Sequence, residues 1–516
     1  MTFVIESVSS MAVIGKIVKK TSELGTKRSA GKKPTFKGQV KTLHKLIKTA
    51  AKTEFGIYYR FDHCLESEDF IRAFQKHVPF SDYDSMYRHW IHRAMDGAPN
   101  VIWPGKIKYY ALSSGTTGSP SKRIPITKQM IRSFQKNSIK QFASTSRFDL
   151  SDEFYQKSFL VVGGSSQPEK VGPRFEGDLS GILKKHTSVV LQPLTKPDPK
   201  TAAIKDWSKK LDKMVEMAPN WDIATVAGSP TWCVMLLERI VERYQLKHIH
   251  ELWPHFELYV WGGVYIEPYL DRFEKICGKK VHLLNTYLAS EGYMAFQNNP
   301  ESKGMQLLTK SGIFFEFIPF NSDNFDVHGS VLPHARAYTL DEVKEGVDYA
   351  LVISTNAGLW RYIIGDLVQF TDAANYEIII SGRIKQYLSL TGEHLSLDNI
   401  NNAIRQTAAR TGVSIPEFCI CVDEANQKHC WYFGVADGVA SQEIMHSIDQ
   451  ELCALNDDYA SCRKYNTLRD PEAHFLPISK FYEFMETRGK FGSQQKFPRV
   501  MTQHQANDWK LFIGEV

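Results

Sequence analysis

Between Ser113 and Lys122 the chain reads SSGTTGSPSK, in which nine of ten residues are Ser, Thr, Gly or Pro and the last is a lysine. Such a stretch suits phosphate oxygens. Glycines let the backbone approach closely, hydroxyl and N–H groups donate, and the lysine adds positive charge. The apolar run IKYYAL (Ile107–Leu112) before it predicts a strand. After IPIT, a helical pattern runs from Lys128 to about Ser146 with Thr127 as N-cap. The expected order is therefore strand, glycine-rich loop, helix. The stretch lacks the spacing of a Walker A loop. Taken alone, it also suits a flexible surface loop.

Further stretches could add chemistry: VWGG up to Gly263, TYLASE (Thr286–Glu291), LWRYIIGD (Leu359–Asp366), SGRIKQYLSLTGEHLS (Ser381–Ser396) and QQKFPR (Gln494–Arg499). Singly, each has an ordinary reading. Glu291 suits an exposed acid at a helix start, and Asp366 a turn residue after a strand. Tyr287 and Trp261 suit core aromatics, Arg361 a paired surface cation, and Lys496 a solvated one. Their order along the chain carries more than any one of them.

Periodicity predicts the elements that must position these residues. From Gly38 to about Lys76 the pattern is helical, with Leu43, Leu46, Ile47 and Ala50 on one face, and TEFG (Thr53–Gly56) predicts a glycine stop to the first helix. Strands are expected at Ser158–Gly164, Asp222–Ser229, Leu258–Gly263 and Val281–Tyr287, alternating with helices that include Thr231–Tyr244 and Glu267–Cys277. This is an α/β pattern, in which ligands sit beyond the carboxyl ends of strands. Gly312–Phe320, Tyr349–Thr355, Leu359–Phe370 and Tyr376–Arg383 then predict an antiparallel barrel or meander. After SGRIKQ, a helix (Leu397–Thr411), strands (Glu417–Val422, His429–Ala436) and a helix (Ser441–Leu455) predict a compact α+β unit. The expected fold is α/β. It comprises a large N-terminal domain of αβ-layered sheets plus a β-barrel over residues 1–383, and a small mobile α+β C-terminal lid domain over residues 384–516.

Composition narrows the function classes. The 516 residues are 43% hydrophobic and 23% charged, as in a soluble globular chain of two or more domains. A net charge of +6 is too dilute to imply nucleic acid, and the basic run from Lys16 to Lys37 reads as a solvated tail. The first residues read as an amphipathic helix, because positive charge follows the apolar part where a signal peptide has it in front. No run is long and apolar enough for a membrane span. The eight cysteines form no CxxC pair and no HExxH is present, which argues against zinc and a disulfide framework and for a reducing cytoplasm. Oligomeric state leaves no signature.

The motifs, in their order and spacing, resemble the acyl-adenylate-forming superfamily of acyl-CoA synthetases, adenylation domains and luciferase. Within it they most resemble the auxin-responsive family of acyl acid amido synthetases, over a span from Thr53 to Arg499. The resemblance implies ATP and Mg²⁺ as cofactors. It implies that Ser113, Ser114, Thr116 and Thr117 hold the phosphates, reinforced by Lys122, with Thr117 and Lys496 as the catalytic pair. Lys496 would swing onto the acyl carboxylate and α-phosphate. Glu291 would bind Mg²⁺, Tyr287 would pack against adenine, and Ser290 would lie near the α-phosphate. Gly262 and Gly263 would form the flat wall of the adenine slot. Asp366 would accept both ribose hydroxyls and Arg383 would contact ribose. Lys385 would lie in a hinge. Gln386 stands where many members have an acid, and Trp360 where many have Tyr.

A carboxylate is a poor electrophile, and transfer to AMP gives a mixed anhydride with a good leaving group. The implied function is an ATP-dependent ligase that adenylates a carboxylic acid and passes the acyl group to an amine, an amino acid by resemblance. The alternatives are an acid–thiol ligase using CoA and a non-catalytic nucleotide-binding protein. The acyl pocket is expected from Val161–Gln167, Arg123, Ala227–Trp232 and Val264–Tyr265.

Overall fold

The computed structural model describes residues 34–113, 122–186, 192–326, 329–384, 388, 390–391, 393, 395, 397–436, 442–488 and 497–515. The expected N-terminal amphipathic helix, Lys385 and Gln386 lie outside them.

Helix α1 (Phe36–Ala50) starts where Thr35 accepts from the Gly38 N–H, and it buries Leu43, Leu46, Ile47 and Ala50 as its pattern predicts. TEFG is not its stop. Thr53 instead caps a short helix α2 (Glu54–Tyr58) by accepting from the Gly56 N–H. A Cβ on Gly56 would lie 2.2 Å from the Ala50 carbonyl oxygen, so this glycine permits close packing of the two helices.

Strands β1 (Tyr109–Ser113) and β2 (Lys122–Ile126) pair antiparallel, with Ser113 opposite Lys122. The glycine-rich stretch therefore joins two strands of a hairpin. Helix α3 (Lys128–Ser144), capped by Thr127, begins only after β2. The apolar side chains of KRIPI explain the difference, since Ile124 and Ile126 are buried in the same core as Tyr110 and Ala111 of β1. β3 (Ser158–Val162) leaves for the main sheet, while β4 (Glu169–Val171) and β5 (Arg174–Gly177) complete a four-stranded sheet in the order β2-β1-β5-β4.

Among the described residues the main sheet has 11 strands. β6 (Thr195–Lys196), β3, β7 (Ile223–Gly228), β8 (Leu258–Trp261) and β9 (His282–Ala289) run parallel. Helices such as α4 (Leu179–Lys185) and α5 (Pro230–Arg243) lie between them in the chain. From β9 onward the pairing is antiparallel, through β10 (Gly292–Phe296), β11 (Met305–Leu307), β12 (Ile313–Pro319), β13 (Asp348–Thr355), β14 (Tyr362–Asp372) and β15 (Glu377–Arg383). The expected β-barrel takes the meander form instead. β15 pairs with β11 rather than with β12, so the antiparallel half runs edge to edge into the parallel half and stays open.

Strands β16 (Glu417–Asp423), β17 (Lys428–Val435) and β18 (Glu472–Pro477) form a separate three-stranded sheet. Its alternation sorts side chains to two faces. Phe418, Ile420, Trp431 and Phe433 pack against α6 (Leu397–Thr411) and α7 (Gln442–Leu455). Cys419, Cys421, Cys430 and Tyr432 pack against α8 (Ile478–Thr487) and α9 (Gln503–Ile513). Backbone bonds from Ile420 N–H to the Arg499 carbonyl (2.8 Å) and from Met501 N–H to the Ile420 carbonyl (2.9 Å) lay the end of QQKFPR beside β16.

Candidate active site

A cavity of about 1590 Å³ opens where the carboxyl ends of β8 and β9 meet β14, β15 and the C-terminal sheet unit. Ser113, Lys122, Gly262, Gly263, Tyr287, Ser290, Glu291, Asp366 and Arg383 all line it. Ser114, Thr116, Thr117 and Lys496 lie outside the described residues, but the flanking Ser113, Lys122 and Phe497 line the same cavity.

Strand register sets the central carboxylate. Asp366 on β14 is paired with Arg383 on β15, and Arg383 Nε donates to Asp366 Oδ1 at 2.7 Å. Tyr287, near the end of β9, donates its hydroxyl to Asp366 Oδ2 at 2.5 Å. The ring of Tyr287 is buried. Burial and the nearby Asp366 charge both hold its hydroxyl protonated, well above the usual phenol range. The Asp366 carboxylate in turn raises the Arg383 pKa, so the guanidinium stays charged. A carboxylate offers about four acceptor positions, so two remain for further donors.

Glu291 does not start a helix. It sits with Ser290 in the two-residue turn between β9 and β10, fixed by the Ala289–Gly292 pair. Its side chain is buried yet lines the cavity, and among the described residues it has no ion-pair partner. Burial raises its pKa; the approach of Lys122 opposes that rise. A buried carboxylate with no cation in ion-pair contact among the described residues fits a hard divalent ion that takes its other ligands from phosphate oxygens and water.

Gly262 and Gly263 follow β8 into the cavity wall. A Cβ on Gly262 would lie 2.2 Å from the Thr286 carbonyl oxygen, and Gly263 has φ +85°. Both glycines are thus required by the backbone itself, whatever occupies the slot.

Several residues depart from their sequence reading. Arg361 is buried rather than on the surface, with φ +41°. It bonds Glu316 and donates to the carbonyls of Gln75 and Val78, both at 2.8 Å. It thereby holds the turn that carries Ser81 and Tyr83 into the cavity, a segment with no motif to announce it. Lys122 lies 5.7 Å over the Tyr83 ring. Arg123 lines the cavity, but its Nε donates to Glu176 at 3.1 Å, so its charge is engaged within the chain. Trp232 is core, 5.2 Å from the Trp207 ring, and does not line the pocket. Tyr265 does line it and donates to the Ile380 carbonyl at 2.6 Å.

Apart from Arg499 in QQKFPR, the far wall stands in no sequence motif. Tyr269, after β8, donates to Glu417 Oε1 of β16 at 2.8 Å, and Arg499 pairs with Glu417 Oε2 at 2.8 Å. All three residues line the cavity.

The GH3 family N-terminal domain matches residues 32–211, the central domain residues 306–379, and the C-terminal domain residues 398–505. The chain belongs to the GH3 family. Among curated GH3 relatives, a "probable indole-3-acetic acid-amido synthetase GH3.4" of Oryza sativa subsp. japonica is 25% identical over 277 residues, which is 49% of this chain and 44% of the relative. Jasmonoyl–L-amino acid synthetase JAR6 of Nicotiana attenuata is 26% identical over 274 residues, covering 49% of this chain and 46% of that protein. The match thus spans less than half the length of these relatives. The solved GH3.15 acyl acid amido synthetase superposes with TM-score 0.73 at 18% identity, covering 92% of this chain and 93% of that one. A 2-hydroxyisobutyryl-CoA ligase in the postadenylation state superposes with TM-score 0.57 at 14% identity, covering 92% and 91%. These structural likenesses show that the chain shares its fold with these two proteins. Among the described residues, no helix is long and apolar enough to cross a membrane.

Proposed function

We propose that this GH3 protein is an ATP-dependent, AMP-forming ligase that joins a carboxylic acid to an amine, an amino acid in keeping with the names of its relatives. One observation carries the reading. Residues far apart in the chain, Lys122, Tyr287, Glu291, Asp366 and Arg383, converge on one cavity. Their types suit a nucleotide. Asp366 would take the ribose hydroxyls on its two remaining acceptor positions, with Arg383 and Tyr287 holding it in place. Ser113, Lys122 and, between them in the sequence, Ser114, Thr116 and Thr117 would hold the phosphates. Glu291 would hold Mg²⁺ against phosphate oxygens, where the ion would offset charge developing at phosphorus.

In the first step a substrate carboxylate oxygen bonds to the α-phosphorus, the α–β bridging bond breaks, and pyrophosphate leaves. In the second step the amine nitrogen attacks the acyl carbon, AMP leaves with the bonding pair, and the amine loses a proton. Lys496 would place its cation beside the charge that grows in the first step. We place the boundary of the C-terminal domain after Arg383, where the main sheet ends. The eight cysteines, all unpaired, suit a reducing cytoplasm.

The deciding experiment is a screen of carboxylic acids by pyrophosphate release, repeated with Lys496→Ala. The variant is expected to lose about 10²–10³ in adenylation rate while still binding ATP. Unchanged pyrophosphate release would refute the role of Lys496, and no AMP from any acid would refute the ligase. Trapping the activated acyl group with single amino acids and, separately, with CoA distinguishes amide from thioester formation.

A further inference from the structure

One end of the cavity is framed by α3, α4, β3 and β6. Contacts knit these elements together. Gln135 of α3 donates to the His186 carbonyl just past α4 at 2.9 Å. Phe142 of α3 packs on Phe159 of β3 at 5.6 Å, and Phe159 is in register with Thr195 of β6. Gln141 and Lys184 line the cavity at this end, near Val161 and Thr195.

Two lysines lie here, and they are satisfied differently. Lys210 is buried and donates to the carbonyls of Gly163, Gly164 and Ala202 at 2.7, 2.8 and 3.1 Å. An ammonium has three donors, so Lys210 is saturated and serves the fold. Lys184 donates to one carbonyl, that of Pro197, at 2.7 Å. Among the described residues no carboxylate lies within ion-pair distance of it. The nearby Asp198 is occupied by the N–H groups of Lys200 and Thr201 and the Thr201 hydroxyl. Burial pushes the Lys184 ammonium down to about 8, as expected of a cation short of partners. A second donor is also unmatched: Gln141 Nε2 is buried with no hydrogen-bond partner. Arg123, which also lines the cavity, is bonded to Glu176.

A buried unmatched donor costs free energy that a ligand acceptor would recover. We propose that Lys184 and Gln141 form a subsite for a second, distal carboxylate on the acyl substrate, so that the preferred acids are dicarboxylic. This rests on the ligase reading, and it names the substrate class that reading leaves open. The reacting carboxylate lies at the phosphate end, and the distal one meets Lys184 Nζ and, once the buried amide turns toward the cavity, Gln141 Nε2.

The test uses the full chain with ATP, Mg²⁺ and matched pairs of acids. These are linear dicarboxylic acids of graded length, and terephthalate, each beside its mono-amide. The amide keeps size and shape but removes the charge. The wild-type protein is expected to favour the best diacid over its mono-amide by about 10–100-fold in kcat/KM, mainly through KM. Lys184→Gln retains a donor for the Pro197 carbonyl but lacks the charge, and it should bring that ratio close to one. Gln141→Leu should lower it part of the way. Equal wild-type values for diacid and amide overturn the subsite, as does an unchanged ratio in Lys184→Gln. Calorimetric binding of the same pairs without ATP separates this claim from the ligase reading. Selective diacid binding with no AMP formed keeps the subsite and sinks the ligase. AMP formed from both acids without selectivity does the reverse.

Discussion

Asp366 commits one oxygen to Arg383 and the other to Tyr287, so its plane is set before any ligand arrives. The arrangement adds a second part to the one expected of Tyr287. Its sequence position suggests an aromatic surface for adenine, whereas its buried hydroxyl orients the carboxylate that would take the ribose. Tyr287→Phe removes one hydrogen bond to a charged acceptor, worth about 1.5–3 kcal/mol. In an ATP-dependent assay the expected result is a rise in KM for ATP of about tenfold or more with a smaller change in kcat. An unchanged KM for ATP would show that Asp366 needs no such support. The residue types at Asp366, Arg383 and Glu291 were legible because each sits in a motif whose order along the chain is informative. Tyr83, Glu417 and Tyr269 were not, because they reach the cavity by tertiary packing and stand in no local pattern. Lys184 was hidden for the same reason: its significance lies in partners it lacks, which a sequence does not record.

Elements were read more reliably than their joins. The strands that carry Tyr287, Asp366 and Arg383 lie close to where alternation predicts, and α6 spans the expected Leu397–Thr411. What failed was connectivity. The loop from Ser113 to Lys122 leads into a strand, because the five-residue segment KRIPI, with Ile124 and Ile126 buried, pairs with β1 before the helix can start. The meander stayed open because the short β11, three residues long, takes the edge of β15. Gly262 shows how a functional inference and a structural cause can coincide at one position. A side chain there was expected to collide with adenine, and it would first collide with Thr286, in the strand beside β8. Gly262→Ala should therefore force β8 and β9 apart locally. The expected cost is about 1–3 kcal/mol, read as a lower urea midpoint, together with weaker ATP binding. A variant that binds ATP less well at full stability would restore the view that the glycine serves the ligand alone.

At the scale of the molecule, the cavity has one wall from the main sheet and one from the C-terminal unit, and a buried polar network fastens the two. Tyr269 donates to Glu417 at 2.8 Å and also meets Thr231 at 2.9 Å, while Arg499 pairs with Glu417 and lies 4.5 Å over the Phe418 ring. Glu417 is 2% exposed, so its charge depends on these partners. Removing one partner of a buried pair leaves an uncompensated charge and costs about 3–5 kcal/mol, whereas replacing both by apolar groups is often nearly neutral. Arg499→Met should accordingly lower the urea midpoint sharply. The double variant Glu417→Leu/Arg499→Met should recover most of the loss within the C-terminal unit, yet not the tie to Tyr269. The readout that separates these effects is limited proteolysis between residues 384 and 397, at the junction of the two units. Both variants should be cut faster there than the parent, although only the single variant is strongly destabilised. Parent-like cleavage in both would mean that the network stabilises the small sheet without joining it to the large one.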